Sequence, residues 1–274
     1  MAEAPLRVLL LVAHPDDAEY HAGGLMTICR RAGHVVKWVS LSNGDAGHHQ
    51  ISGEKLARTR RKESEAAAAV IGAQWDVWEH PDGELQPTLD LRRQVIREIR
   101  AFQPDLLLTH RTVDYHPDHR AVGQVVQDAC YMVTVPPIVP DVPALRKDPV
   151  VAYMADRFTR PTRLAPDVVL DVTDTLDTIT EMFDRHRCQF YEWLPYNLRI
   201  EETMPASAEQ RKAWLAEVFI LPHRRGLADQ YRQALIDQYG PQRGSAIQYA
   251  EAYEISEYAA PWEDSLRRQL FGSA

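Results

Sequence analysis

Apolar and polar positions fall into blocks along this chain, and the blocks alternate in period. The continuous apolar run Val8 to Ala13 has the form of a strand buried on both faces of a parallel sheet. Gly23 to Gly33 follows as a helix, with Arg30 and Arg31 in its last turn, where cations suit the helix dipole. The pattern then predicts a strand over Val35 to Leu41, a helix over Lys55 to Ile71 closed by Gly72, and a short strand over Trp75 to Glu79. Leu89 to Phe102 is amphipathic and stops at Gln103-Pro104, and a further strand spans Asp105 to His110. His116 stands where a helix cap would, with Pro117 at the first helical position and the helix running to about Met132. Strands and helices in alternation, joined by short connections, predict an α/β fold: a mostly parallel sheet flanked by helices, with right-handed crossovers.

The regular pattern breaks at Val135. From there to Pro166 the chain carries seven prolines and little periodicity, with Val150 to Met154 as its one clear strand. This stretch, 135–166, is expected to be a loop region on the substrate side, since long loops in compact domains are often functional. Val168 to Val172 reads as a late strand and Thr175 to Cys188 as a helix. Residues 1–190 are thus expected to form one domain. Residues 191–274 are expected to be a helical C-terminal extension packed on it, with candidate helices over Ala206 to Phe219, Gly226 to Gln238 and Glu263 to Leu270. That extension is available to cap the sheet, support a pocket or build a homo-oligomer interface.

Two apolar strands end in the same chemistry. The first runs into His14-Pro15-Asp16-Asp17, and Leu106 to Leu108 runs through Thr109-His110 to His116-Pro117-Asp118-His119. Ligands of open α/β sheets bind beyond the carboxyl ends of the strands. A hydrolytic zinc site takes three protein ligands and leaves a position for water. His14 and Asp17, three apart around a proline-started turn, can supply two ligands, and His119, three after His116, the third. Asp16 is then free to act as base toward a water whose pKa the metal lowers from 15.7 to about 7. His116 remains on the opposite side, where its protonated form would stabilise an oxyanion or assist the leaving group. Asp118 is expected to orient a histidine. Arg111 and Asp114, on the loop before the second histidine motif, are placed to bind hydroxyls or to brace the turn.

Composition narrows the partners. The 274 residues carry a net charge of −8 without a long basic run, which argues against nucleic acid and anionic membrane surfaces. Cys29, Cys130 and Cys188 are widely separated and odd in number, as expected of reduced thiols. MAEAPLR leads straight into the first strand without a signal-peptide pattern, so a cytoplasmic location is expected. No apolar segment is long enough to span a bilayer.

The stretches AHPDDAE (Ala13 to Glu19) and HPDH (His116 to His119) together resemble the LmbE/PIG-L family of zinc-dependent N-deacetylases. The likeness continues through NGDAG, the helix bearing Arg60 and Glu63, PDGEL, THRTVDYHPDHRAVG and DVTDTLD, over roughly the first 190 residues. It implies a Rossmann-like fold and removal of an acyl group, usually acetyl, from an N-acetylglucosamine-type sugar. It also implies His14, Asp17 and His119 as metal ligands, Asp16 as base, His116 as electrophilic histidine, and Arg60 and Asp82 as sugar contacts. Zn2+ is the implied metal, with Fe2+ as the alternative in cells. An amidase acting on a thiol-sugar conjugate would use the same site. Two histidines and one carboxylate also make the facial triad of a non-haem iron oxygenase. A dinucleotide-binding domain is disfavoured because no GxGxxG follows the first strand.

Overall fold

The computed structural model describes residues 4–271. Five parallel strands, β1 (Arg7–Val12), β2 (Val35–Ser42), β3 (Gln74–His80), β4 (Leu106–Thr109) and β5 (Val150–Met154), lie beside β6 (Val168–Asp171) and β7 (Ala250–Ile255). The sheet order is β3-β2-β1-β4-β5-β7-β6, and β7 alone runs antiparallel, between β5 and β6. This is the doubly wound, mostly parallel sheet expected from the alternating pattern.

The continuous apolar character of β1 follows from what covers it. Val8, Leu10 and Val12 face one core with α1 (Asp17–Arg31), whereas Leu9 and Leu11 face a second core with α3 (Leu89–Phe102) and α4 (Pro117–Ala129). All five side chains are sealed from solvent, and each contributes roughly 1.5–3 kcal/mol of burial. Between α1 and α3, α2 (Gly53–Ile71) ends at Gly72, whose left-handed φ of 65° closes the helix. The chain continues through α5 (Leu176–Arg185), a π-helical turn (Cys188–Trp193) and α6 (Leu194–Leu198). Then come α7 (Ala208–Leu215), α8 (Leu221–Gln230), α9 (Arg232–Tyr239), α10 (Pro241–Ala246) and, after β7, α11 (Asp264–Phe271). No helix among the described residues is long and apolar enough to cross a membrane.

Three departures from the sequence pattern have physical causes. The first helix begins at Asp17 rather than Gly23, with a break at Ala22 (φ −140°, ψ 20°). The break is filled from the C-terminal part of the chain. The Glu251 carboxylate accepts from the amides of Gly24 (2.8 Å) and Leu25 (2.9 Å), while Arg224 donates to the carbonyls of Glu19 and Tyr20. The freed donors and acceptors of both half-helices are thereby satisfied. Second, the extension over 191–274 is helical for most of its length yet returns β7 to the sheet. Glu251 makes that strand look half solvated, but it is buried against Arg224 and the broken helix.

Third, the proline-rich region divides. Residues 132–142 wrap around the buried Arg100, whose guanidinium donates to the carbonyls of Met132, Val133, Val135, Ile138, Val139 and Val142. That end of α3 leads into the amino end of β4, where the Val150 amide also bonds Asp105. The expectation that all of 135–166 lies on the substrate side is therefore corrected. Only the part after β5 stands at the carboxyl ends of the strands.

Candidate metal centre and active site

The switch point of the sheet lies between β1 and β4, which pair in register from Val8↔Leu106 to Leu11↔Thr109. Both strands end in the polar turns described above, so the two histidine motifs meet there. The first turn is tight: the Asp16 and Asp17 amides bond the His14 carbonyl, and the Asp17 carboxylate accepts the His14 amide at 2.7 Å. In the second, His116 caps α4 by accepting from the Asp118 amide through Nδ1 at 3.2 Å, with Pro117 at the first helical position. One helical turn brings His119 inward.

His14 Nδ1 lies 3.2 Å from His119 Nε2 and 3.2 Å from Asp17 Oδ2, and His119 Nε2 lies 3.5 Å from Asp17 Oδ1. A tetrahedral ion bound at 2.0–2.2 Å by such ligands holds them about 3.3 Å apart. The triangle therefore fits a small divalent metal. The electrostatics agree. Burial works against charge on both histidines, yet Asp118, Asp17 and Asp82 raise the pKa of His14 well above its ordinary value. In the same way Asp17 and Asp114 raise His119 to about 9. Asp17 stays ionised despite burial, chiefly through His119. Carboxylates crowd two imidazoles here, and a metal would take the place of the protons they attract.

Around the triangle stand residues that aim it. Asp82 Oδ1 is 3.1 Å and Asp118 Oδ2 3.5 Å from His14 Nε2, and Asp118 is itself fixed by the amides of Gly83 and Leu85. Asp114 Oδ2 is 3.2 Å from His119 Nδ1, while its Oδ1 accepts the His116 amide. Carboxylates thus touch the outward nitrogen of each histidine of the triangle, the arrangement that fixes ring orientation in metal sites. Asp16 points elsewhere. Its Oδ1 is held by Arg60 Nη2 at 2.6 Å, and its Oδ2 makes no hydrogen bond among the described residues. Burial opposes the charge of Arg60, but Asp16 and then Cys188 and Asp82 favour it. Gly44 and Gly47 lie directly over its guanidinium: a Cβ on Gly44 would come within 2.7 Å of it.

His116 departs from the expected imidazolium. Its burial and the neighbouring His14 and His119 lower its pKa, and its Nδ1 already accepts a hydrogen bond. The neutral ring therefore carries its proton on Nε2. Arg111 is drawn away from the cleft to brace the segment after β5: it donates to both oxygens of Asp156 at 3.0 Å and to the carbonyls of Phe158 and Thr162.

Several further residues stand beside the centre; His110 has no role in the sequence reading, whereas His186 in HRCQ is read there as structural and near the pocket. His110 stacks on His119 at 4.1 Å, accepts the Ala13 amide through Nε2 and lies 3.3 Å from Asp17. Burial, and then His119, lower its pKa to about 3, so it is neutral. His186 Nε2 meets Glu19 at 2.9 Å in full burial, and Gln189 holds the Gly47 carbonyl from the π-helical turn. The apolar context of His110 in Leu-Leu-Leu-Thr-His was the available signal for it; the HRCQ motif marks the other two, whose contacts span more than 140 residues.

A doubly wound sheet with a buried His-Asp-His triangle at its switch point defines a metal-dependent α/β enzyme. Residues 9–130 match the family model described as PIG-L: GlcNAc-PI de-N-acetylase. It is 25% identical over 177 residues to a 4-oxalmesaconate hydratase of Pseudomonas putida, covering 62% of this chain and 68% of the relative. It is also 25% identical over 226 residues to a probable N-acetyl-alpha-D-glucosaminyl L-malate deacetylase 2 of Bacillus subtilis, covering 77% and 94%. Its fold resembles N,N'-diacetylchitobiose deacetylase from Pyrococcus horikoshii, with a TM-score of 0.70 at 21% identity over 92% of this chain and 84% of that one.

Proposed function

We propose that this chain is a zinc-dependent N-deacetylase that removes the acetyl group of an N-acetylated amino sugar in a small molecule or conjugate. The observation that carries the reading is the donor triangle beside a carboxylate with one oxygen held and the other free. His14, Asp17 and His119 would hold the ion, with Asp82, Asp118 and Asp114 fixing the rings. The bound ion supplies Lewis acidity toward the acyl oxygen and acidifies water. Arg60 pins Asp16 Oδ1 and leaves Oδ2 to take a proton from the attacking water. His116, neutral and protonated on Nε2, donates a hydrogen bond to the oxygen on which charge develops. Asp16, once protonated, returns the proton to the departing amine.

The Pseudomonas relative favours a second reading, hydration of an unsaturated carboxylic acid, in which the same base and donor would act at a carbon–carbon double bond. One experiment separates the two. The zinc-loaded protein is incubated with N-acetylglucosamine compounds and, separately, with the unsaturated oxo-tricarboxylate that the Pseudomonas relative is named for. Free amine and acetate in equal amounts support deacetylation. Loss of ultraviolet absorbance in the second set, without amine release in the first, would overturn it.

A further inference from the structure

One turn of chain, His186-Arg187-Cys188-Gln189, sends three side chains to three elements that build the active site. It joins α5 to the π-helical turn, a wide geometry frequent at functional sites. His186 Nε2 meets the Glu19 carboxylate at 2.9 Å, on α1 and two residues past Asp17. Cys188 donates to Glu63 from its amide at 3.0 Å and from its thiol at 2.9 Å, one turn beyond Arg60 on α2. Gln189 Nε2 donates to the Gly47 carbonyl at 3.0 Å. All three side chains are buried.

The loop that carries Gly47 closes over Arg60. A Cβ on Gly44 would come within 2.7 Å of the Arg60 side chain, and one on Gly47 within 3.1 Å of Nη1. The base of this loop is fixed by Asp45, whose carboxylate accepts the Asp82 amide and whose carbonyl accepts the Gly53 amide. Its tip is held from the chain after His186. Gln189 holds Gly47, Glu192 accepts from His48 at 3.1 Å, and Tyr196 stacks on His49 at 4.0 Å. Glu192 and Tyr196 are exposed, which leaves the buried Gln189 contact as the strongest of the three. Among the described residues Gln189 is the one donor to the Gly47 carbonyl. Arg60 in turn donates to Asp16 Oδ1 at 2.6 Å, and a misplacement of about 1 Å in a reacting group can cost roughly 10²-fold in rate.

We propose that Gln189 is a positioning residue for the Asp16–Arg60 pair. By holding the Gly47 carbonyl it keeps the glycine loop shut over the guanidinium. The guanidinium then keeps Asp16 Oδ1 occupied, and Oδ2 stays free to take a proton. His186 and Cys188 anchor the turn from which Gln189 reaches. The work assigned to Asp16 rests on the deacetylase reading, whereas the hold on the pair does not.

The test replaces Gln189 with methionine, which fills a similar volume and donates no hydrogen bond. In the zinc-loaded Gln189→Met protein acting on N-acetylglucosamine compounds, kcat should fall roughly tenfold or more while KM stays within about threefold and zinc content is unchanged. A second readout needs no turnover. In protein carrying isotopically labelled arginine, the guanidinium resonances of Arg60, assigned by their absence in Arg60→Lys, should exchange slowly in wild type. They should be broadened or lost in Gln189→Met. Should that variant fold poorly, Gln189→Glu keeps the shape, lacks the donor when ionised, and supplies both readouts. Unchanged kcat or unchanged Arg60 resonances in a folded variant overturns the proposal. So does a joint collapse of kcat, KM, zinc content and Tm, which would assign Gln189 to folding alone. If wild type releases no acetate from any N-acetylglucosamine compound, the deacetylase reading falls and the Arg60 resonances decide alone. Their loss in the variant upholds the hold on the pair, and their persistence refutes it.

Discussion

Glu251→Gln tests whether the C-terminal part of the chain holds the first helix in place. The Glu251 carboxylate is 3.2 Å from Arg224, and both side chains are almost wholly removed from solvent. It also accepts from the Gly24 and Leu25 amides and from the Tyr253 hydroxyl. Glutamine keeps the shape but removes the charge, and it turns an NH2 group toward N–H or guanidinium donors. Leaving one charge of a buried pair uncompensated costs about 3–5 kcal/mol. Set against a whole stability of about 5–15 kcal/mol, that is a large fraction. At about 2–4 °C per kcal/mol for a chain of this size, Tm should fall by roughly 6–20 °C. Urea unfolding of the metal-free protein, followed by circular dichroism, measures the loss directly. Arg224→Met, alone and combined with Glu251→Gln, completes a cycle. The double variant should be more stable than the sum of single losses implies, by at least about 1 kcal/mol. A Glu251→Gln protein within about 1 kcal/mol of wild type, or strictly additive losses, would refute the account of the helix break.

Other outcomes follow from the same geometry. Gly123→Ala would place a Cβ 2.7 Å from the carbonyl oxygens of His110 and Arg111, forcing α4 and His119 away from the strand end. It should lose about 1–3 kcal/mol and bind zinc at least tenfold more weakly in chelator competition, whereas Gly226→Ala, which meets nothing within 4 Å, should do neither. Asp16→Asn should keep its zinc, measured by elemental analysis, while acetate release falls by roughly 10²–10⁴-fold; a metal-free variant would mean that Asp16 is a ligand. His119 in the metal-free protein titrates at about 9, so below that pH zinc must displace its proton. Calorimetry in buffers of different ionisation enthalpy should show at least one proton released per zinc at pH 7, and affinity falling as pH drops.

The parts of the molecule written in local pattern could be read from the chain. Strands β1, β4 and β5 announce themselves as apolar runs, β3 by alternation, and α2 and α3 by period, because each buries its own stripe. The pairing of His14 with Asp17 needs one turn of chain, and the triangle with His119 needs only that two neighbouring strands end in similar motifs. What escaped reading is set by partners far away. Arg100 is amphipathic-helix surface in the sequence but gathers the carbonyls of a whole loop. Glu251 is a polar interruption in β7 until Arg224 and the amides of α1 are seen around it. The protonation of His116 depends on His14 and His119 as neighbours, which spacing alone does not supply.

The position of β7 bears on how this protein is made. Strand β6 pairs with β7 alone, and β7 follows it by roughly 80 residues. At about 5–20 residues per second, a ribosome needs roughly 4–16 s to deliver that partner. Throughout that interval the apolar edges of β5 and β6 wait open in the nascent chain. They are then a ready template for a neighbouring polypeptide. Strand β7 thus closes the sheet and braces the first helix, so the window for misassociation ends only once β7 has been delivered.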